Sequence, residues 1–232
     1  MQVIPAIDIM DGKVVRLEKG RRETAKAYFD DPVAVARAFA QEGAQMAHVV
    51  GLDAAFSGRL DSLELIKRIA QVAKIQYGGG IRSASDAEKL FAVGVSRIVL
   101  GTATIANPGL GRVLCARYPG RIVAALDISR PGKAGLSGWI SEANLPASLD
   151  GFSAVLVTDI SKDGMLSGSN TELVKWALGK YGISVIASGG VSSLEDISSL
   201  GSAGADAIVI GRALYERRFS LSQAIEVAEN VG

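Results

Sequence analysis

The sequence predicts an α/β protein, a single-domain (β/α)8 (TIM) barrel built from two duplicated half-barrels, and three observations predict it. Eight short apolar runs alternate with amphipathic helical runs along all 232 residues. One stretch occurs twice: Tyr77-Gly78-Gly79-Gly80-Ile81-Arg82 and Ala187-Ser188-Gly189-Gly190-Val191-Ser192. Gly80 and Gly190 lie 110 positions apart, as do Ser83 and Ser193, Asp86 and Asp196, Gly94 and Gly204, and Gly101 and Gly211. A period that long exceeds the roughly 20–50 residues of solenoid repeats and implies a duplicated half-domain. Third, no linker or shift of composition divides the chain, and barrels of roughly 200–250 residues form one domain. Residues 1–232 are therefore read as one domain, with half-barrels at about 1–118 and 119–232.

The strands are expected at Val3–Ile7, Met46–Leu52, Lys74–Tyr77, Arg97–Leu100, Ile122–Leu126, Ala154–Val157, Ser184–Ala187 and Ala207–Ile210. They are nearly continuous Val, Ile, Leu and Ala runs, as parallel strands covered on both faces require. Pro32 opens a helix over Val33–Gln41 that Gly43 closes. Asp61–Ala73 carries Leu63, Ile66, Ile69 and Ala70 at helical spacing. Ser85 and Glu88 read as a capping box for the helix that ends at Gly94. Ser193–Ala203 repeats that unit, and Thr171–Lys180 and Leu221–Asn230 complete the series.

Two connections are long. Ile9 to Asp30 follows strand one and carries Lys13, Arg16, Lys19, Arg21, Arg22 and Lys26; Ile128 to Glu142 follows strand five and carries Arg130, Lys133 and Trp139. Long connections in compact domains serve as lids or binding loops, and both leave the strand ends where barrels place their sites. Solvated surface is the plain alternative for Lys19, Arg21, Arg22 and Lys26.

Composition narrows the function. Net charge is +1, so no global field recruits nucleic acid or membrane. Cys115 has no partner for a disulfide and is read as a buried thiol; with His48 the sole histidine, a His/Cys zinc site is excluded. Met1 leads directly into Val3-Ile4-Pro5-Ala6-Ile7, without a basic leader or an apolar run approaching about 18 residues, so a cytoplasmic protein is expected. No long exposed apolar face is evident, and the chain is read as a monomer.

Asp8 closes strand one and Asp127 closes strand five, each after a matching run, Pro5-Ala6-Ile7 and Ala124-Ala125-Leu126. Carboxyls facing each other over an apolar mouth suit acid–base chemistry, because desolvation raises their pKa; capping of turns is the alternative. Gly79 and Gly80, with Gly101 and Thr102, mark one anion cradle. Ser188, Gly189 and Gly190, with Gly211 and Arg212, mark the other. Glycine lets backbone N–H groups approach a phosphate, and tight turns are the competing explanation for any one of them. Two cradles imply a long small-molecule bisphosphate. Thr158 and Asp163, after strand six, add a hydroxyl and an acid, unless they are a strand end and an Asp-Gly turn. Trp139 either stacks on a planar heterocycle or anchors its loop. His48 is read as a packed core imidazole.

Ile4-Pro5-Ala6-Ile7-Asp8, Asp11-Gly12-Lys13-Val14-Val15-Arg16-Leu17, Gly78–Arg82, Gly138-Trp139 and Thr158–Gly164 together resemble the phosphoribosylformimino-aminoimidazole carboxamide ribotide isomerases of histidine biosynthesis. The resemblance spans the chain. It implies an Amadori rearrangement, aldose to ketose, with Asp8 as base, Asp127 as general acid, Asp163 as a rival acid and Thr158 positioning the ribose. Arg16, Arg82, Trp139, Gly168 and the two glycine cradles would hold the substrate, with no metal or cofactor. The chain departs from that pattern at Gly51, where the family usually has Asp, so an acid is expected to be missing from the mouth. Ala213–Phe219 is also similar to the dual-substrate isomerases that act on phosphoribosylanthranilate in tryptophan synthesis, but Ser137 stands where those tend to carry Arg.

Overall fold

The computed structural model describes residues 1–101, 106–130, 133–134 and 145–231. The chain opens with β1 (Gln2–Met10), β2 (Lys13–Glu18) and β3 (Arg21–Phe29), then α1 (Pro32–Gln41), β4 (Ala47–Gly51), α2 (Leu52–Ser57) and α3 (Leu63–Ala70). β5 (Ile75–Gly78), α4 (Ala84–Ala92), β6 (Arg97–Leu100) and α5 (Pro108–Arg117) finish the first half. The second half holds β7 (Ile122–Arg130), β8 (Lys133–Ala134), β9 (Ala154–Asp159), α6 (Thr171–Tyr181) and β10 (Val185–Ser188). It ends with α7 (Leu194–Ser202), β11 (Ala207–Ile210), α8 (Arg212–Tyr215) and α9 (Leu221–Glu229).

Eight strands run parallel in the order β1, β4, β5, β6, β7, β9, β10, β11, and β11 pairs back onto β1 with Gln2 opposite Ala207. Closure leaves no barrel edge unpaired. Successive side chains point to opposite faces. Ile4, Ala6, Val99, Val123, Leu156, Ile186 and Val209 fill the interior. Their neighbours Ile7, Val49, Ile98, Val155 and Ile208 pack outward against Ala36, Ile66, Leu90, Leu114, Val174 and Leu200 of the helices. Both faces of each strand are dry, which explains the unbroken apolar runs.

The structure differs from the sequence expectation in four places. The long first connection is a β-hairpin, β2 and β3, pairing antiparallel with the end of β1. Leu52 starts α2 instead of ending a strand. The helix α5 escaped the periodicity because Gly109 and Gly111 dilute its pattern; Gly111 lies against the Phe152 ring.

The fourth difference is the capping box of α4. Ser83, not Ser85, is the N-cap: its hydroxyl accepts from Asp86 N at 3.1 Å, and Asp86 Oδ2 accepts from Ser83 N at 2.9 Å. Ser193 and Asp196 do the same for α7, at the 110-residue offset. Ser83→Ala and Ser193→Ala should each lower stability by about 1 kcal/mol in urea melts, roughly additively because the caps share no partner. Ser85→Ala should change the midpoint little.

Candidate active site

In the closed strand order β1 and β7 have three strands between them on either side, so their C-terminal residues face each other across the mouth. Asp8 sits beside Val50 in register, and Asp127 beside Thr158. The structure thus brings Asp8, Asp127 and Thr158 to one rim, as their strand-end positions imply.

Asp163 joins them from the turn after β9. Its N–H donates to Asp159 O at 2.9 Å. The Asp159 carboxylate fixes that turn by accepting from Ser161 N at 3.0 Å and from Asn170 Nδ2 at 2.6 Å. Asp159 itself is buried and spent on this scaffold.

Among the described residues, the cation paired with these acids is Arg16. Its Nη1 lies 2.8 Å from Asp8 Oδ2, and its Nη2 3.9 Å from Asp163 Oδ1. Burial pushes the Asp8 carboxyl up to about 6, against the pull of Arg16, with a smaller push from Asp163. Asp127 is reached by solvent from above, yet it stands on a rim crowded by protein atoms. That desolvation, with repulsion from Asp163, lifts it to about 6 against a bond from the Thr158 hydroxyl. Asp163 is raised as well, chiefly by burial. Carboxyls with pKa near neutrality can exchange protons with a substrate at physiological pH.

Beneath this rim lies a polar chain. Arg97 Nη2 donates to Gln76 Oε1 at 2.7 Å, and Gln76 Nε2 lies 3.0 Å from His48 Nδ1. A guanidinium can only donate, so the Gln76 oxygen faces Arg97 and its NH2 faces the imidazole. His48 Nδ1 is then an acceptor, and burial holds its pKa down at about 4. The imidazole is a satisfied core group, in keeping with the reading of it as packed.

The two glycine cradles lie at equivalent rims. Gly79, Gly80, Gly189 and Gly190 all have φ between 72° and 109°, and their Cα faces pack on backbone. A Cβ on Gly80 would stand 2.9 Å from Ala54 O, and one on Gly189 2.7 Å from Asp159 O. Conformation and close packing therefore already require these four glycines. Gly168 closes the second cradle, with its N–H donating to Gly190 O at 3.0 Å. Arg16, Asp163, Ser188, Gly189, Gly190 and Gly211 line a common cavity with Arg212. Arg212 itself is held by Glu18 at 2.8 Å. At the first cradle the Arg82 guanidinium lies over Gly58, the C-cap of α2. Thr102, Trp139 and Ser137 lie outside the described residues.

Gly51 does not face the mouth; it shares the outward side of β4 with Ala47 and Val49. Its φ of −81° suits any residue, but a Cβ there would collide with Tyr77 Oη and stand 3.0 Å from Tyr77 Cζ. The position faces the layer between sheet and helices, where the Tyr77 ring is 1 % exposed. What the sequence presents as a missing acid in the mouth is a place filled by a phenol.

The comparisons agree over nearly the whole chain. The sequence profile of the family described as histidine biosynthesis protein matches residues 2–220. A 1-(5-phosphoribosyl)-5-((5-phosphoribosylamino)methylideneamino)imidazole-4-carboxamide isomerase of Picosynechococcus sp. is 41% identical, over 97% of this chain and 93% of its own. Proteins of the same name from Anaeromyxobacter sp. and Haloquadratum walsbyi are each 40% identical, covering 98% and 99% of this chain and 99% and 96% of their own.

Two outcomes test this geometry. Gly51→Ala should lose about 1–3 kcal/mol by overpacking. Adding Tyr77→Phe should recover most of that loss in thermal melts. Asp127 has a folded pKa raised above its unfolded value, so its contribution to stability is present below about pH 4 and is lost as pH rises through about 6. Asp127→Asn should therefore raise Tm at pH 8, and the gain should vanish by about pH 4.

Proposed function

The chain belongs to the histidine biosynthesis protein family, and we infer that it is the aldose–ketose isomerase acting on the phosphoribosylformimino-aminoimidazole carboxamide ribonucleotide of that pathway. The observation that carries this reading is the pair of strand-end carboxyls, Asp8 and Asp127, facing each other across the mouth and both poised near pH 6.

The Amadori rearrangement needs one acid and one base on opposite sides of a ribose. Asp127, protonated, delivers its proton to the furanose ring oxygen. The C1′–O bond breaks as the glycosidic nitrogen lone pair forms a C1′=N iminium. Asp8, ionised, removes the C2′ proton, and that electron pair forms the C1′=C2′ enol with the nitrogen neutralised. Asp8 returns that proton to C1′ while the C2′ hydroxyl gives up its own to the Asp127 carboxylate, which leaves the C2′ ketone and restores both carboxyls. Each step moves a proton between a carboxyl and an oxygen or carbon of the ribose, and side-chain carboxyls with raised pKa suffice. Thr158, beside Asp127, holds the ribose; Asp163 stands by Arg16 and tunes both acids by its charge. The substrate is a small phosphorylated molecule. We read it as a bisphosphate, one end at Gly79, Gly80, Arg82 and Gly101 and the other at Ser188–Gly190 with Gly168, Gly211 and Arg212; Thr102 and Trp139, outside the described residues, belong to the same reading.

The half-barrels at about 1–118 and 119–232, a monomeric state and a cytoplasmic location belong to the same reading. The described residues contain no helix long and apolar enough to cross a membrane. Asp8→Asn should abolish turnover of the imidazole carboxamide bisphosphate while leaving its affinity within about tenfold, roughly 1.4 kcal/mol. Steady-state turnover and calorimetric binding measure the two separately, and an active Asp8→Asn enzyme would remove Asp8 from the mechanism.

A further inference from the structure

The two cradles are related by the duplication, yet one of them is covered. Among the described residues a Cβ added at Gly101 would meet nothing within 4 Å, whereas at its counterpart Gly211 it would run into the guanidinium of Arg16. Arg16 comes from the other half-barrel, from β2 of the hairpin, and its guanidinium lies at once against Asp8 and against Gly211 of the second cradle. Its Nε is buried and has no hydrogen-bond acceptor among the described residues, and the same is true of Arg212 Nε, which stands 3.6 Å from Glu216. A buried guanidinium N–H without an acceptor is costly, and both of these donors belong to residues lining one cavity with Ser188, Gly189 and Gly190. Backbone N–H groups and two guanidinia around one space are suited to a tetrahedral oxyanion, which takes guanidinium donors in pairs.

On the isomerase reading, we propose that Arg16 couples the two ends of the reaction: a phosphate entering the Gly189–Gly190–Gly211 cradle takes the guanidinium of Arg16 as its partner and thereby weakens the hold of Arg16 on Asp8. Arg16 is a positioning residue in this scheme. In the empty site it neutralises the carboxylate of Asp8, so the base is restrained until substrate is in place. A phosphate that competes for the same donors returns basicity to Asp8 at the moment when C2′ stands beside it. The groups facing this pair are Asp163 from the turn after β9, Tyr215 from α8, Tyr28 from β3, and His48 from β4 below. Asp163 is the other anion within reach of Arg16, and a phosphate adds a second competitor on the same side.

The test uses the whole chain with inorganic sulfate, whose double negative charge is constant over the range in which Asp8 titrates. Carbon-13 carboxyl resonances, with Asp8 assigned from Asp8→Asn, give its titration directly. Without anion Asp8 should titrate near pH 6; with saturating sulfate it should become about tenfold weaker as an acid, one pH unit higher. In Arg16→Met the midpoint should already be raised and sulfate should leave it in place, while Arg16→Lys should keep part of the response. An unmoved Asp8 in the wild-type protein, whether or not sulfate binds, overturns the coupling, and this arm depends on no variant. An equal shift in wild type and Arg16→Met also overturns it, since the anion would then act by its field alone. Turnover of the bisphosphate by the same preparation decides the isomerase reading separately: turnover with an unmoved Asp8 removes only the coupling, and no turnover removes the reading.

Discussion

A carboxylate at the end of a barrel strand loses much of its water to the protein packed around it, and the mouth of this barrel is arranged around that constraint. Asp8 and Asp127 project where apolar strands end, and both are driven toward their protonated forms by desolvation. One guanidinium, Arg16, stands among these acids at 2.8 Å from Asp8 and 3.9 Å from Asp163. Removing one partner of such a buried pair costs about 3–5 kcal/mol, because the other charge is stranded. The same desolvation that makes the pair expensive to break keeps the acids near neutrality, where proton transfer is fastest.

Arg16 can hold this place because the hairpin that carries it is fastened to the barrel. Tyr28, Phe29 and Phe39 surround the Tyr215 ring at centroid distances of 5.2, 6.0 and 6.1 Å, and the Tyr215 hydroxyl donates to Ala6 O at 2.7 Å. Glu216 receives Lys26 at 3.0 Å and the Tyr28 hydroxyl, and Lys19 N donates to Asp163 O at 3.2 Å. Gly164 has no side chain and packs on Leu17 O. Aromatic burial supplies the firm side of this attachment. The exposed ion pairs are individually weak and add little to it.

The duplication is visible in atoms as well as letters. Asp86 accepts from Arg82 N and Ser83 N, and Asp196 accepts from Ser192 N and Ser193 N. The charges, however, have been exchanged between halves. Arg82 corresponds to Ser192 across the offset, and Thr102 to Arg212, so at these two positions each half carries one arginine, at a different point of the repeat. Among the described residues, Arg16 adds its guanidinium beside Gly211 of the second cradle. Two chemically similar ends of a substrate would thus meet unlike partners, which gives a near-symmetric site a direction.

Burial has a period, and so the barrel was legible from sequence: strands dry on both faces must be runs of Val, Ile, Leu and Ala, and helices between them must show an apolar stripe. The strand-end acids and paired glycines followed from the same pattern, since a closed barrel puts every strand end at one mouth. Local rules ran out where two residues satisfied one rule equally. Ser83 with Asp86 and Ser85 with Glu88 both spell a capping box, and only the extended backbone at Ser83, φ −142°, decides between them. Arg16 was one of six cations in a long connection. It became the partner of Asp8 only through the antiparallel register that sets Asp8 opposite Val15. Gly51 read as a lost acid because its filler, Tyr77, is 26 residues away in the chain and adjacent only across β4 and β5. Periodicity is a property of neighbours along the chain, and it determined the fold. Which charge meets which, and which side chain fills which gap, depends on register between strands, and that the tertiary structure alone decided.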